Sequence, residues 1–287
     1  MDLTKKLIFI CGKGGVGKTS VSKALALTLS KKGLKTLWVA FEDPLKPPGE
    51  LLEISPTLWH LNCESITAFE EYVGLKIGVP SLTKIFLQNK LMRYMAKAAP
   101  GIHDLVLLGK IWFERKNYDH IVLDMPSTGY GLAMFQGTEN FSKLFQGGPT
   151  HRDALSMLET FGDPSETHFL IVTLPEEMPI RESLELNGYL QKMFPKNPAS
   201  FLVNRSFPKP VTAPAASQSP ESWIGASPIP QSALDYVEKR SINEAYNLRL
   251  LEQEKIEFTE LGFLLPTEDK DLIHTLSEEI ENHVILH

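Results

Sequence analysis

One stretch of the sequence decides the fold: Gly12-Lys13-Gly14-Gly15-Val16-Gly17-Lys18-Thr19, with Ser20 directly after it. It matches the pattern G-x-x-x-x-G-K-[ST], whose glycines allow successive backbone N–H groups to point into a concave anion site. The apolar run Leu7–Cys11 precedes the stretch, and apolar residues at helical spacing follow it over 18–32. We therefore predict a buried strand, a phosphate loop (residues 12–19) and a helix whose N-terminus faces the same anion.

The residue types of the phosphate loop predict how a nucleotide is bound. The ammonium group of Lys18 is expected to reach the β- and γ-phosphates, and the Thr19 hydroxyl is expected to bind Mg²⁺. Gly12 and the residues from Gly14 to Ser20 are expected to surround the phosphates. A chance glycine-rich turn is the alternative, and the strand before the loop and the helix after it argue against that alternative.

Strand and helix patterns alternate along the rest of the chain. Strands are predicted at 36–41, 58–63, 120–124, 168–174, 200–203 and 258–265, and helices at 177–194, 231–254 and 268–281. Residues 66–117 are predicted to form a mainly helical subregion, and the Pro- and Ser-rich residues 205–230 a long surface loop. This alternation predicts one α/β domain over residues 1–287, with a mostly parallel, doubly wound sheet and helices on both faces.

Composition narrows the functional class. The 287 residues include 29 Lys and Arg against 35 Asp and Glu, a net charge of −6, which argues against a general nucleic-acid binder. The two cysteines, Cys11 and Cys63, are too few for an all-cysteine zinc site or a disulfide framework. Because every apolar run is too short to cross a bilayer, we expect no transmembrane segment and a cytoplasmic location.

Two aspartates follow predicted strands beside the phosphate loop. Asp43-Pro44 comes after the second strand, and its carboxylate is suited to orient the attacking water or to hold Mg²⁺ through water. By spacing alone Glu42 competes for this role, and Asp43 could instead cap a turn. Asp124 ends the strand at 120–124, which is the Walker B arrangement for a Mg²⁺ partner. A polar loop over 124–131 is expected to move when the γ-phosphate leaves.

Three segments together resemble the ArsA-type ATPases, a family that includes the arsenite-pump ATPase and the tail-anchored-protein targeting ATPase. They are GKGGVGKT at 12–19, Asp43-Pro44, and DMPSTGYG at 124–131. The resemblance implies a single-half ATPase with a deviant Walker A loop and with ATP and Mg²⁺ as cofactors. It also implies a homodimer in which Lys13 crosses to the partner's nucleotide and acts like an arginine finger. The alternative for Lys13 is an ordinary solvated lysine.

The resemblance continues beyond these segments. Leu202-Val203-Asn204 resembles the family strand that ends in an adenine-contacting Asn, and Leu265-Pro266 resembles a late loop near the base. Residues 172–176, followed by a helix that contains Glu182, resemble the family's strand–Pro-Glu–helix segment. The implied base contacts are therefore Asn204 and Pro266. The implied catalytic residues are Lys13, Lys18 and Asp43, and the implied metal residues are Thr19, Asp43 and Asp124.

The chain also departs from the family pattern. The first switch of the family, which corresponds to the segment that begins with Asp43-Pro44, has the pattern D-P-A-H-[SN]. This chain has Lys46 and Pro47 in the last two positions of that pattern, which puts the rate of hydrolysis in question. Tyr130 stands where the second switch usually has His. Two cysteines are also too few for a thiolate cluster that binds arsenite, and no C-x-x-C zinc pair is present.

Two apolar regions have alternative interpretations. Residues 66–117 carry apolar side chains at helical spacing, which either line a groove for a hydrophobic-helix or membrane-protein client or pack against the sheet. Packing is the commoner use of such a stripe and is favoured here. Phe135, Phe141 and Phe145 are expected in either a mobile flap or an ordinary packed loop.

Three functions follow from these observations. The leading hypothesis is a Mg²⁺-dependent ATPase whose hydrolysis opens and closes a homodimer and drives a client. The second is a slow-turnover, nucleotide-gated protein-binding module, in which Pro47 would explain slow hydrolysis. The third is a ParA/MinD-like positioning ATPase, which is disfavoured because the acidic stretch 268–287 lacks a basic face for anionic membranes.

Overall fold

The computed structural model describes residues 5–41, 43, 45, 47–78, 101–144, 146–207, 231–264 and 269–283. The strands among them are β1 (Leu7–Cys11), β2 (Thr36–Phe41), β3 (Leu51–Ser55), β4 (Leu58–Cys63), β5 (His120–Asp124), β6 (Thr167–Thr173), β7 (Ser200–Ser206) and β8 (Phe258–Gly262). The helices are α1 (Lys18–Lys31), α2 (Ser65–Ile77), α3 (Ile102–Glu114), α4 (Thr128–Leu144), α5 (Gly148–Gly162), α6 (Glu177–Met193), α7 (Gln231–Gln253) and α8 (Asp269–His283).

One eight-stranded sheet, in the order β3-β4-β2-β5-β1-β6-β7-β8, organises the chain. Its strand pairs are parallel except for β3 and β4, which are antiparallel. β1 lies near the middle, between β5 and β6, so that the phosphate loop leaves the sheet at its centre. The predicted α/β fold with a mostly parallel sheet is confirmed.

The two faces of the sheet are buried by different helices. In β1, Leu7 and Phe9 point into the cluster that α3, α4, α5 and α6 cover, whereas Ile8 and Ile10 point into the cluster that α1 and α8 cover. All four side chains are fully buried. Burial on both faces explains why the inner strands are continuous apolar runs without polar alternation. It also anchors β1, and with it the start of the phosphate loop, in the buried core of the sheet.

The segment after β2 corrects one prediction. The sequence indicates a proline-rich loop there, but Leu51–Ser55 forms the edge strand β3, which pairs with β4 through a turn at residues 56–57. Most of the β3 side chains are exposed or half-buried. An edge strand with one partner and little burial has no apolar periodicity, so its sequence does not predict a strand.

A second correction concerns residues after β5. The predicted polar loop 124–131 is only three residues long, since α4 already begins at Thr128. Helices α4 and α5 were not predicted, and they settle the two interpretations of the phenylalanines. Phe135 and Phe141 are neither in a flap nor in a loop but in α4, and both are buried in the core. Phe145 lies outside the described residues.

In the described part of the 66–117 subregion, packing against the sheet dominates. Leu105, Leu108 and Ile111 of α3 are buried in the same cluster as the sheet residues Leu37 and Leu123. Residues 79–100 lie outside the described residues. No helix in the described part of the chain combines the length and the apolar character needed to cross a membrane.

Several other predictions fall wholly or partly outside the described residues. Of the predicted 205–230 loop, residues 208–230 lie outside them. The prediction is wrong for residues 205–206, because β7 continues to Ser206. Glu42, Pro44, Lys46 and Pro266 also lie outside them.

Candidate active site

Two glycines give the phosphate loop its shape. Gly12 has φ +142° at the end of β1, and a Cβ atom there would lie 2.2 Å from the carbonyl oxygen of Val172. Gly17 has φ +96° and caps the N-terminus of α1, and a Cβ atom there would lie 2.4 Å from Asn204 Nδ2. Both backbone conformations are unfavourable for other residues, and both positions lack room for a side chain. The pattern of glycines therefore reflects a tight curl of the chain between two neighbouring strands.

The rest of the loop leads into the N-terminus of α1. Val16 is buried beneath it, while Gly14 and Gly15 are exposed at its outer edge. Lys18 begins α1, and Thr19 and Ser20 follow in the first helical turn. Free N–H groups at this helix N-terminus and the local dipole favour an anion at the same place.

Lys18 is the buried cation of the site. Its side chain is 9% exposed, and Nζ donates a hydrogen bond to the backbone oxygen of Lys13 at 3.0 Å. Burial lowers the pKa of the Lys18 ammonium, and the nearby Asp124 carboxylate partly offsets this effect. A buried cation whose hydrogen bond goes to a neutral carbonyl gains electrostatic energy when a phosphate arrives.

Thr19 and Asp124 meet in front of this lysine. Thr19 Oγ1 donates to Asp124 Oδ2 at 2.6 Å, across 105 residues of sequence. Burial raises the pKa of Asp124 and Asp43 adds to the rise, whereas Thr19, Lys18 and Lys23 lower it. Among the described residues nothing donates to the buried oxygen Oδ1 of Asp124. A hydroxyl beside an unpaired, buried carboxylate oxygen is a donor set that suits a hard cation such as Mg²⁺.

The first switch is held by a residue that the sequence did not reveal. The backbone N–H of Asp43 donates to Asn62 Oδ1, and Asn62 Nδ2 donates to the backbone oxygen of Asp43, both at 2.9 Å. Asn62 is 2% exposed and is the next-to-last residue of β4, which pairs with β2 in parallel. An isolated Asn near a strand end gives no signal by itself. Only the parallel pairing of β2 with β4 brings it beside Asp43.

The Asp43 carboxylate has a local partner. Its Oδ1 accepts a hydrogen bond from the backbone N–H of Leu45 at 2.9 Å, which is the turn-capping geometry considered for it from the sequence. Its negative charge is also close enough to contribute to the raised pKa of Asp124. Asp43 therefore caps a turn and at the same time lies near the predicted metal residues.

Lys13 does not extend freely into solvent. Its Nζ lies 2.5 Å from Oε1 of Glu182 in α6, and each side chain is about one third exposed (37% and 33%). The sequence places Glu182 in the helix of the strand–Pro-Glu–helix segment but does not indicate its pairing with Lys13. The two residues are 169 positions apart, and only the β1–β6 pairing explains why they meet.

Asn204 also lies at the site. It is 5% exposed, and its Nδ2 donates to the backbone oxygen of Val16 at 2.9 Å, so it braces the phosphate loop from β7. Its implied contact with adenine stays a prediction. Pro266, the second implied base contact, lies outside the described residues. Of the predicted site residues, the structure brings together the phosphate loop, Thr19, Asp43, Asp124 and Asn204.

A contact behind the second switch links two helices. Tyr130, in the first turn of α4, lies with its Oη 2.7 Å from His103 Nε2 at the start of α3. The two rings are tilted at 44°, with centroids 6.4 Å apart. Tyr130 is the position where the sequence departs from the family pattern. Its partner ties the residues after Asp124 to the helical subregion.

Comparisons with known proteins agree with this geometry. A sequence profile described as anion-transporting ATPase (ArsA ATPase) matches residues 5–149, just over half of the chain. The chain is 29% identical to ATPase BagA of Mycobacterium tuberculosis over 247 residues, which cover 78% of this chain and 72% of that protein. It is 26% identical to an ATPase ASNA1 homolog of Plasmodium berghei over 251 residues, which cover 72% of this chain and 64% of that protein. It is 25% identical to ATPase GET3B of Arabidopsis thaliana over 251 residues, which cover 66% of this chain and 61% of that protein.

Proposed function

The chain belongs to the anion-transporting ATPase family, and from this premise we propose that it is an ATPase that uses Mg²⁺ and works as a homodimer. Hydrolysis of ATP is what the family and the named relatives have in common. Mg²⁺, the homodimer and a client are the proposed additions to that activity. The family match also favours this hypothesis over a ParA/MinD-like positioning ATPase.

The contact between Thr19 and Asp124 carries the proposal. It joins the first turn of α1 to the end of β5, 2.6 Å apart, directly beside the buried ammonium of Lys18. A hydroxyl, a carboxylate and a lysine around a loop of backbone N–H groups are the parts that phosphoryl transfer requires in this type of site. Lys18 and Thr19 are neighbours in sequence, but Asp124 lies 105 residues after Thr19, and their meeting is hard to explain by packing alone.

The roles of the residues follow from their chemistry. Lys18 and the backbone of the phosphate loop bind the β- and γ-phosphates, and Asn204 holds the loop in shape through Val16. Thr19 and Asp124 would hold Mg²⁺, which would add positive charge against the phosphate oxygens when bound. Asp43 orients the attacking water from the first switch.

The metal part of the proposal is tested with Asp124→Asn, which keeps the shape of the side chain but removes its charge. We expect the Mg²⁺ concentration for half-maximal hydrolysis to rise about 10–100-fold, the usual effect of weakening a metal site. Glu159→Gln, on the exposed side of α5, is the matched control and should leave that concentration unchanged. Equal Mg²⁺ dependence in Asp124→Asn and the unaltered protein would remove Asp124 from the metal site.

The homodimer part rests on Lys13. Lys18 already places an ammonium group inside the phosphate loop, where its Nζ donates to the backbone oxygen of Lys13. A second lysine beside the first glycine is therefore not needed to bind the phosphates of its own subunit. We propose that Lys13 reaches the nucleotide of the partner subunit and stabilises the charge that develops on the transferred phosphoryl group. Lys13→Ala should then abolish the dependence of the specific hydrolysis rate on protein concentration. If that dependence is retained, the trans role is wrong.

The client part concerns α2 and α3. A groove of about 400 Å³ runs between these helices, and the exposed side chains of Leu75 and Phe113 lie along it. We propose that this surface contacts a hydrophobic-helix or membrane-protein client, and α3 is linked to the second switch by His103 and Tyr130. The test is binding of a fluorescent peptide with a single apolar helix, measured with ATP and with ADP. Leu75→Asp should weaken only the ATP-dependent binding, and unchanged binding would rule out this surface.

One observation favours the slow-turnover module as a second candidate. Asp43 Oδ1 is engaged by the N–H of Leu45, so the carboxylate must leave its turn before it can hold water with both oxygens. Single-turnover hydrolysis, compared with the lifetime of the ATP-bound dimer, separates the two candidates. Hydrolysis much slower than dimer dissociation would favour the binding module.

A further inference from the structure

The ion pair between Lys13 and Glu182 has a consequence for how the dimer closes. The ammonium of Lys13 is 2.5 Å from the Glu182 carboxylate of its own chain. The backbone oxygen of Lys13 meanwhile accepts a hydrogen bond from Lys18. The backbone of residue 13 thus belongs to its own phosphate site, while the side chain is turned away towards α6. A lysine held there is not positioned to reach a second subunit.

We propose that Glu182 is an autoinhibitory counter-ion, which retains Lys13 on its own subunit until an ATP-bound partner replaces it. The proposal rests on the trans role of Lys13 given above and adds its regulation. An ammonium paired with one carboxylate exchanges that partner for a triphosphate of higher negative charge. Release of Lys13 thereby becomes part of dimer closing, and closing is favoured only when the partner holds ATP.

The pair has the strength that such a switch needs. Both side chains are about one third exposed, so solvent screens their attraction. Exposed pairs contribute about 0.2–1 kcal/mol, which corresponds to at most about a fivefold change in an equilibrium constant. A fully buried pair would hold Lys13 too tightly to exchange. The observed pair is weak enough to be broken by ATP and strong enough to favour the open state without it.

The other carboxylates of α6 do not compete for Lys13. Glu177 is paired with Arg181 one turn away, at 2.9 Å. Glu185 is exposed, and it lies one turn after Glu182 on the same helix. Glu182 is therefore the carboxylate of α6 that Lys13 meets, and Glu185 offers a control of equal charge in the same local environment.

The test compares Glu182→Gln with Glu185→Gln in the full-length protein. The dimer dissociation constant is measured by sedimentation with Mg²⁺ and a non-hydrolysable ATP analogue, and thermal unfolding checks the fold of each variant. Glu182→Gln should tighten the dimer by about two- to fivefold at low salt, and Glu185→Gln should not. The gain should shrink as salt rises. A tighter dimer cannot result from a damaged fold, so misfolding does not imitate the expected result.

Two further variants separate this proposal from the one on which it rests. In a Lys13→Ala background, Glu182→Gln should bring no gain, because no ammonium is left to release. If the gain persists there, it is a general charge effect and the counter-ion role is wrong. If Lys13→Ala weakens the dimer but Glu182→Gln leaves it unchanged or weakens it too, only the inference about Glu182 fails. If Lys13→Ala itself changes nothing, the trans role fails and this inference fails with it.

Discussion

Asn62→Ala isolates the part of the site that sequence patterns did not reveal. The substitution removes both hydrogen bonds, each of 2.9 Å, that hold the backbone of Asp43. A neutral hydrogen bond contributes about 1 kcal/mol net, so the productive position of Asp43 should lose about 2 kcal/mol relative to other loop positions. This difference corresponds to about thirtyfold in population. We therefore expect kcat to fall by up to about thirtyfold.

The apparent affinity for ATP should stay within about twofold, because Asn62 holds the first switch and not the phosphate loop. The assay is steady-state hydrolysis with saturating Mg²⁺, combined with equilibrium binding of a fluorescent ATP analogue. A double mutant gives the sharper check, since Asn62→Ala should add nothing to the defect of Asp43→Asn if it acts through Asp43. Additive losses, or a loss of ATP binding with kcat unchanged, would refute the reasoning.

Two other substitutions test the loop and the helix contact. Gly17→Ala places a methyl group 2.4 Å from Asn204 Nδ2 at φ +96°, so it should abolish ATP binding in a calorimetric titration; normal binding would mean that the loop can reshape freely. Tyr130→Phe removes the hydrogen bond to His103 and should raise amide hydrogen exchange at the start of α3 by about threefold to tenfold, with catalysis little changed. Equal exchange in both proteins would show that this contact does not couple α4 to α3.

The central part of the fold was predictable because its signals are local. The phosphate loop combines a glycine pattern with a buried strand before it and a helix after it, and all three lie within 25 residues of sequence, 7–31. Asp124 was predictable for the same reason, as an acidic residue at the end of an apolar strand. In both cases the strand is buried on both faces of the sheet, so its sequence is a continuous apolar run that predicts a buried strand directly.

The elements that were missed depend on long-range contacts or on conflicting local signals. Strand β3 is an exposed edge, so nothing imposes alternation on its side chains. Pro126 lies just before α4, and Gly129 and Gly131 lie in its first turn. All three favour a loop locally, and packing of Phe135 into the core overrides them. Asn62 contacts Asp43 only because β4 pairs with β2 in the folded sheet. Glu182 contacts Lys13 only because α6, which follows β6, lies beside the phosphate loop.

The central claim is that each active site is completed by Lys13 of a second subunit, and mixing two impaired variants tests it most directly. Lys13→Ala lacks the trans lysine, and Asp43→Asn lacks the residue that orients water, so homodimers of either should keep only a small residual turnover. In mixed dimers one site combines an intact Asp43 with the partner's Lys13. Random mixing should restore about one quarter of the unaltered turnover, because half of the dimers are mixed and each has one complete site. Turnover that stays at the level of the separate variants would contradict the account.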